Sequence, residues 1–282
     1  MNTINWFKNN KTDIFFFIGL VVAVWVIYLI GKNSPISEIT STWGWILLIM
    51  VLFIILASSL ITKNPLFGWL INEQNRMSLS RLQLFLWTIV ILSAFITAVF
   101  ANLHFKQFES AVAIAIPEEL WLAMGISTTS LIGTSLILES KKEKDPKQPK
   151  DPQNPNRIEK LDEKLKKMNM TRVGVLVRSD KPSLLDLIRG EEVGNSDKID
   201  LTRLQNLFFT FILVGTYMAS LSVMFTELVT KTPEIENIAE NFPIASFPEL
   251  GSSAIALLTI SHAGYLVAKA IDKQPSETPE TP

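Results

Sequence analysis

The sequence predicts an all-α polytopic membrane protein: six transmembrane helices, the last four arranged as two parallel helix-pair repeats, with a short cytoplasmic helix and strand inserted between the pairs. Three observations carry that expectation. The 282 residues are 48% hydrophobic and 19% charged, with a mean hydropathy of +0.28, too apolar and too lightly charged for an ordinary soluble protein of this length. Long apolar runs alternate with polar connectors along the whole chain. One motif also occurs twice: Met77 to Thr88 reads MSLSRLQLFLWT, and Ile199 to Thr210 reads IDLTRLQNLFFT.

The first apolar run, Ile14 to Ile30, is free of charge and ends at Gly31, and at 1.5 Å per residue it reaches roughly 25 Å, just enough for the hydrocarbon core. A signal peptide is the rival reading, but the run is long and aromatic-rich and no small-x-small cleavage site follows. The second run opens with Trp43 and Trp45, residues suited to the headgroup layer, and continues to about Ile61. Residues 1–62 thus form a two-span hairpin. PLFGWLI, Pro65 to Ile71, is too short to span and reads as a surface helix with Trp69 as anchor. Ser80 with Gln83, and Thr202 with Gln205, have the spacing of a capping box that satisfies backbone N–H groups before the helix enters lipid.

Leu82 to Phe100 forms the third span, a loop with His104, Lys106 and Glu109 follows, and Leu120 to Leu138 returns as the fourth. The fourth carries Ser127, Thr128, Thr129, Ser130, Thr134 and Ser135; four consecutive hydroxyls cover every side of a turn, so they cannot all meet a neighbour. Residues 139–181 make a cytoplasmic insert. Its charged, Pro-rich start, Ser140 to Asn156, cannot bury enough apolar area to fold. Asn156 and Glu159 cap a short helix with Ile158, Leu161, Leu165 and Met168 on one stripe, and Val173, Val175 and Val177 alternate as one strand, for which pairing with the 62–81 loop is expected. Pro182 to Ile188, before Gly190, is a second surface helix. The fifth span runs from about Leu204 to Phe225, an acidic loop with Glu227, Glu234, Glu236, Glu240 and Glu249 follows, and the sixth occupies roughly Ser253 to Ile271. Residues 272–282 are a polar, disordered tail.

The repeat extends beyond the motif. Pro65 and Pro182 each precede a Leu-Ile pair, and Pro117-Glu118 before Gly125-Ile126-Ser127 matches Pro248-Glu249 before Thr259-Ile260-Ser261. Residues 63–138 and 182–271 are therefore expected to be two copies of one module. Of the 26 Lys and Arg, only Lys32, Lys106 and Lys231 fall on the side opposite the termini, which puts both termini and the insert in the cytoplasm and the chain in the plasma membrane. Both copies then enter from the cytoplasm, as parallel rather than inverted repeats.

A net charge of −1 argues against a nucleic-acid partner, and the absence of cysteine excludes disulfides and thiolate chemistry. No P-loop, zinc motif, nucleophile elbow or intramembrane carboxylate pair is legible, so neither an enzyme nor a cofactor is expected. His262 lies near the middle of the sixth span, where an ionisable group is a functional candidate by default; with no second titrating group for a relay, a neutral imidazole bonded to a facing hydroxyl is the plainer reading. Ser127, Ser130, Thr134, Ser261 and His262 could line a path or simply pack helices, with Gly125, Thr129 and Gly133 as a small-residue stripe. Arg81 and Arg203 are expected to snorkel to phosphates, with Ser78 or Asp200 as partners. Beyond the bilayer, a cytoplasmic protein or a second copy of the chain is the expected partner. The first functional reading is a non-enzymatic membrane anchor or subunit presenting the 139–203 segment; a channel or transporter with a path between the modules is the alternative, and a membrane-perturbing effector a third.

Overall fold

Uninterrupted apolar runs leave the backbone nowhere to satisfy its polar groups except within itself, so they become helices. In the computed structural model, which describes residues 11–62, 64, 66–105, 111–144, 157–235 and 244–272, the chain is mostly helical: α1 Lys11–Asn33, α2 Ile39–Ile61, α3 Leu79–His104, α4 Glu118–Lys142, α5 Arg157–Lys167, α6 Leu201–Ile235 and α7 Ser252–Ala270. All but α5 are long and apolar enough to cross a membrane, and the lowest hydropathies, 1.5 and 1.2, belong to the hydroxyl-rich α4 and to α7. Pro65, Lys106, Glu109, the Pro-rich stretch beyond Lys144, Asn156, Glu236, Glu240 and the tail after Asp272 lie outside the described residues.

The chain divides into two compact units. The first comprises residues 1–69, 85–122 and 213–252. Here α1 is apolar on every side and has no buried residue in its apolar window, whereas half of the corresponding window of α3 is buried, so α3 is the core helix and α1 leaves its apolar surface uncovered by the described residues. Trp43 of α2 donates from Nε1 to Ser93 Oγ at 3.0 Å and stacks obliquely on Phe225, ring centroids 5.6 Å apart. Gly31 is required by close approach, because a Cβ there would meet the Phe100 ring at 2.2 Å. At the end of α3, Asn102 joins two loops: its amide donates to Ala111 O at 3.2 Å and Ile244 O at 3.1 Å, and its carbonyl accepts from Ile244 N–H. Those loops pair in parallel at Ala115 and Ser246.

The second unit comprises residues 70–84, 123–212 and 253–282. Its small apolar core is Leu165 of α5 with Met170, Val177 and Val193. The single strand expected over Val173 to Val177 is instead a hairpin, β1 Met170–Val173 paired antiparallel with β2 Leu176–Ser179. The reason is Gly174, at φ +63 and so close to Lys142 that a Cβ would lie 2.3 Å from its carbonyl oxygen, a turn that only glycine makes without strain. Val175 therefore sits in the turn. The free edge of β2 is met mainly by residues 191–193, with Val177 N–H donating to Glu191 O at 3.0 Å. The 62–81 loop touches only the end of β2, where Ser179 N–H donates to Gln74 O at 3.0 Å.

Candidate functional site

Every residue singled out at the two motif copies or on the hydroxyl-rich faces belongs to the second unit. Each motif starts a long helix two residues earlier than the capping-box reading expects. Ser78 caps α3, its Oγ accepting from Arg81 N–H at 3.4 Å. Asp200 caps α6, accepting from Thr202 N–H at 3.0 Å and Arg203 N–H at 3.3 Å. Ser80 and Gln83 are consequently interior helical residues, released from capping and turned to other helices. Ser80 Oγ lies 3.1 Å from Thr134 Oγ1 and 3.4 Å from Ser130 Oγ on α4, while Gln83 Nε2 donates to Thr210 Oγ1 on α6 at 2.7 Å. Thr202 bonds back to Asp200, and Gln205 is exposed.

The hydroxyls of α4 sort themselves by helical period. Ser127, Ser130 and Thr134 are buried on one face, whereas Thr128 and Ser135 are exposed and donate to the Met124 and Leu131 carbonyls one turn back. The expected small-residue stripe is not a contact line: nothing lies within 4 Å of a Cβ at Gly125, Thr129 is exposed, and only Gly133 meets a neighbour, Leu266. On α7, Ser261 donates to Asn206 Oδ1 at 2.8 Å. His262 is 2% exposed, yet neither ring nitrogen has a partner among the described residues, so the expected bond to a facing hydroxyl is not made.

Where the helices α6 and α7 meet residues 70–77 and 184–192, charge is buried. Arg203 does not snorkel. Its guanidinium pairs with Glu191 at 2.7 Å and donates to the Leu187 and Asp186 carbonyls at 3.2 and 2.8 Å, because the short 3-10 helix Leu184–Leu187 aims its C-terminal carbonyls at it. Glu191 also pairs with Lys269. Arg76, fully buried, pairs with Asp186 at 3.4 Å and donates to Gly190 O at 2.6 Å. Asp186 in turn makes the capping box of that 3-10 helix with Ser183. Lys141 pairs with Glu192 at 2.7 Å. Burial alone would raise the Glu191 pKa, but Arg203, Lys269 and Arg76 outweigh it and hold the carboxyl well below the carboxylate range. Burial pulls Arg76 down, only partly offset by Glu191 and Asp186. Arg81 is half-buried and donates to Ile71 O at 2.5 Å.

None of the ion-pair partners of Arg76, Arg203 or Lys141 is legible in the sequence, since each pairing joins segments distant along the chain. The one local signal was Ser183 with Asp186 at capping-box spacing, beside Gly190-Glu191-Glu192. Two small clefts flank the site, one lined by Asp200, Thr202, Arg203, Tyr265 and Lys269 among others, the other by Ser78, Arg81, Leu131, Thr134 and Ser135 among others. Among the described residues no group of three or more His, Cys, Asp or Glu is arranged to hold a metal ion. No known protein family, curated protein or solved structure matches this chain.

Proposed function

We propose that this protein, with six membrane spans of which the last four form two parallel helix-pair repeats, is a non-enzymatic anchor or subunit of the plasma membrane that holds a rigid cytoplasmic cap toward a protein partner. The observation that carries the reading is the buried ion-pair set of Arg76 with Asp186, Arg203 and Lys269 with Glu191, and Lys141 with Glu192. These pairs tie the 70–77 and 184–192 segments to the ends of α4, α6 and α7. Buried charges of this kind confer geometric definition more than net stability, which suits a surface that must be presented in one orientation.

Several correspondences support the repeat. Ser78 and Asp200, equivalent in the motif, are both N-caps. Gly68–Leu70 and Leu184–Leu187 are 3-10 helices at equivalent places. The loops after α3 and α6 pair in parallel at Ala115 and Ser246, each two residues before the matching Pro117 and Pro248. Even the two clefts are lined by matching positions, Arg81, Leu131 and Ser135 in one and Arg203, Tyr265 and Lys269 in the other.

A channel or transporter with a path between the modules is the second reading, favoured by the unpartnered polar atoms of Ser127 and His262. Against it, Ser130, Thr134 and Ser261 are engaged in helix-to-helix bonds, so most of the lining would have to give up an existing partner. Purified full-length protein in liposomes loaded with proton-, potassium- or chloride-sensitive dyes distinguishes the two. Flux equal to that of empty liposomes is expected; a protein-dependent flux overturns the anchor reading.

A further inference from the structure

Contacts among α3, α4, α6 and α7 place four polar side chains of the second unit in one layer. Gly133 of α4 packs on Leu266 of α7, and Lys141 Nζ donates to Ile271 O at 3.0 Å, so the two helices run side by side in the same direction. Counting back equally from the Gly133 contact brings Ser127 level with Ile260, beside Ser261 and His262. Ser80 faces Ser130 and Thr134, which brings Gln83, one turn deeper on α3, to the level of Ser127. Asn206 of α6 is bonded to Ser261 at 2.8 Å, and its backbone carbonyl accepts from Thr210, the residue that Gln83 holds.

Within this layer Gln83 Oε1, Ser127 Oγ, Asn206 Nδ2 and both nitrogens of His262 are buried and have no partner among the described residues. All four side chains are at most 2% exposed. Leaving such groups unsatisfied in an apolar medium is costly. The set offers an amide donor, an amide acceptor, a hydroxyl and an imidazole, and neither a carboxylate nor an ammonium. It therefore recognises a neutral guest that both donates and accepts.

We propose that Gln83, Ser127, Asn206 and His262 enclose a buried hydration site among α3, α4, α6 and α7, in which water bridges the four helices. Since a buried water makes about three hydrogen bonds, the unpartnered atoms call for about two waters. The site goes beyond the anchor reading and holds whether or not a solute crosses, since water that bridges helices need not pass between the two faces of the membrane.

The test uses the full chain in lipid nanodiscs with ring-¹⁵N histidine. The chain has two histidines, so His104→Gln, at an exposed position, leaves His262 as the single imidazole signal. Magnetisation transfer from water to the His262 ring is expected, and its loss in Ser127→Val, which removes the hydroxyl and fills its place with two methyl groups. Should Ser127→Val fail to fold, the wild-type ring still decides. Transfer from lipid methylenes in place of water would overturn the proposal, as would ring shifts that report a direct bond to a protein carbonyl or hydroxyl. Undiminished water transfer in a folded Ser127→Val protein would overturn the four-sided site.

Discussion

At the scale of single residues, Asp186 joins three functions: it pairs with Arg76, accepts from Met77 N–H, and closes the capping box with Ser183. Both side chains of the Arg76 pair are 1% exposed, and removing one partner of such a pair leaves an uncompensated buried charge. Asp186→Asn should therefore lower stability by about 3–5 kcal/mol, read as a fall in the thermal midpoint in detergent; a variant as stable as the wild type would mean the pair is hydrated. Glu191 sets a pH dependence whose sign follows from its depressed pKa. The folded state binds fewer protons than the unfolded, where the carboxyl titrates near 4.5, so the stabilisation is complete above that value and is lost as pH falls below it. Burial opposes the shift, but the charged groups facing Glu191 from the packed elements, Arg203, Lys269 and Arg76, are all cationic and outweigh it, with Tyr265 beside them. Between about pH 5 and pH 3 the midpoint should fall more steeply in wild type than in Glu191→Gln; equal slopes would remove Glu191 from the account.

At the scale of elements, the long helices are legible because uninterrupted apolar runs of spanning length announce them, and their starts are not. Two Ser/Thr-x-x-Gln patterns pointed to Ser80 and Thr202 as caps, but equally good cap residues, Ser78 and Asp200, stood two positions earlier. The tertiary partners of Ser80 and Gln83 decided between them, and those partners lie on other helices. Ser78→Ala and Asp200→Ala should each cost roughly 1 kcal/mol, whereas Ser80→Ala removes a bond to α4 and leaves the backbone cap intact. Amide exchange separates the two effects: fraying of the first turn is expected for the cap variants and not for Ser80→Ala, and fraying in Ser80→Ala would restore the original capping box. The hairpin was missed because three alternating valines read as one strand, and the single glycine between them was the only turn signal. Gly174→Ala, strained by its positive φ and by the Lys142 carbonyl, should destabilise the hairpin by about 1–3 kcal/mol. Loss of amide protection confined to β1 and β2 is the expected reading, and unchanged protection would contradict the turn assignment.

At the scale of the whole molecule, composition and run length predict six spans, and among the described residues six helices are long and apolar enough to cross a membrane. What composition could not reveal is the polar interior. Glu191, Glu192 and Asp186 look like ordinary solvated loop charges until the fold buries them against Arg203, Lys141 and Arg76, and His262 looks like a group bonded to a facing hydroxyl, whereas the fold buries both its ring nitrogens without a partner among the described residues. The central claim is that the chain crosses the membrane with α5 and the hairpin inside and the loops after α3 and α6 outside. Because the chain contains no cysteine, single cysteines introduced at the exposed positions Val112, Glu163 and Glu249 and labelled with an impermeant maleimide test it directly. Val112→Cys and Glu249→Cys should react in intact right-side-out vesicles, and Glu163→Cys only after permeabilisation. Labelling of Glu163→Cys from outside, or of all three from one face, would contradict the account.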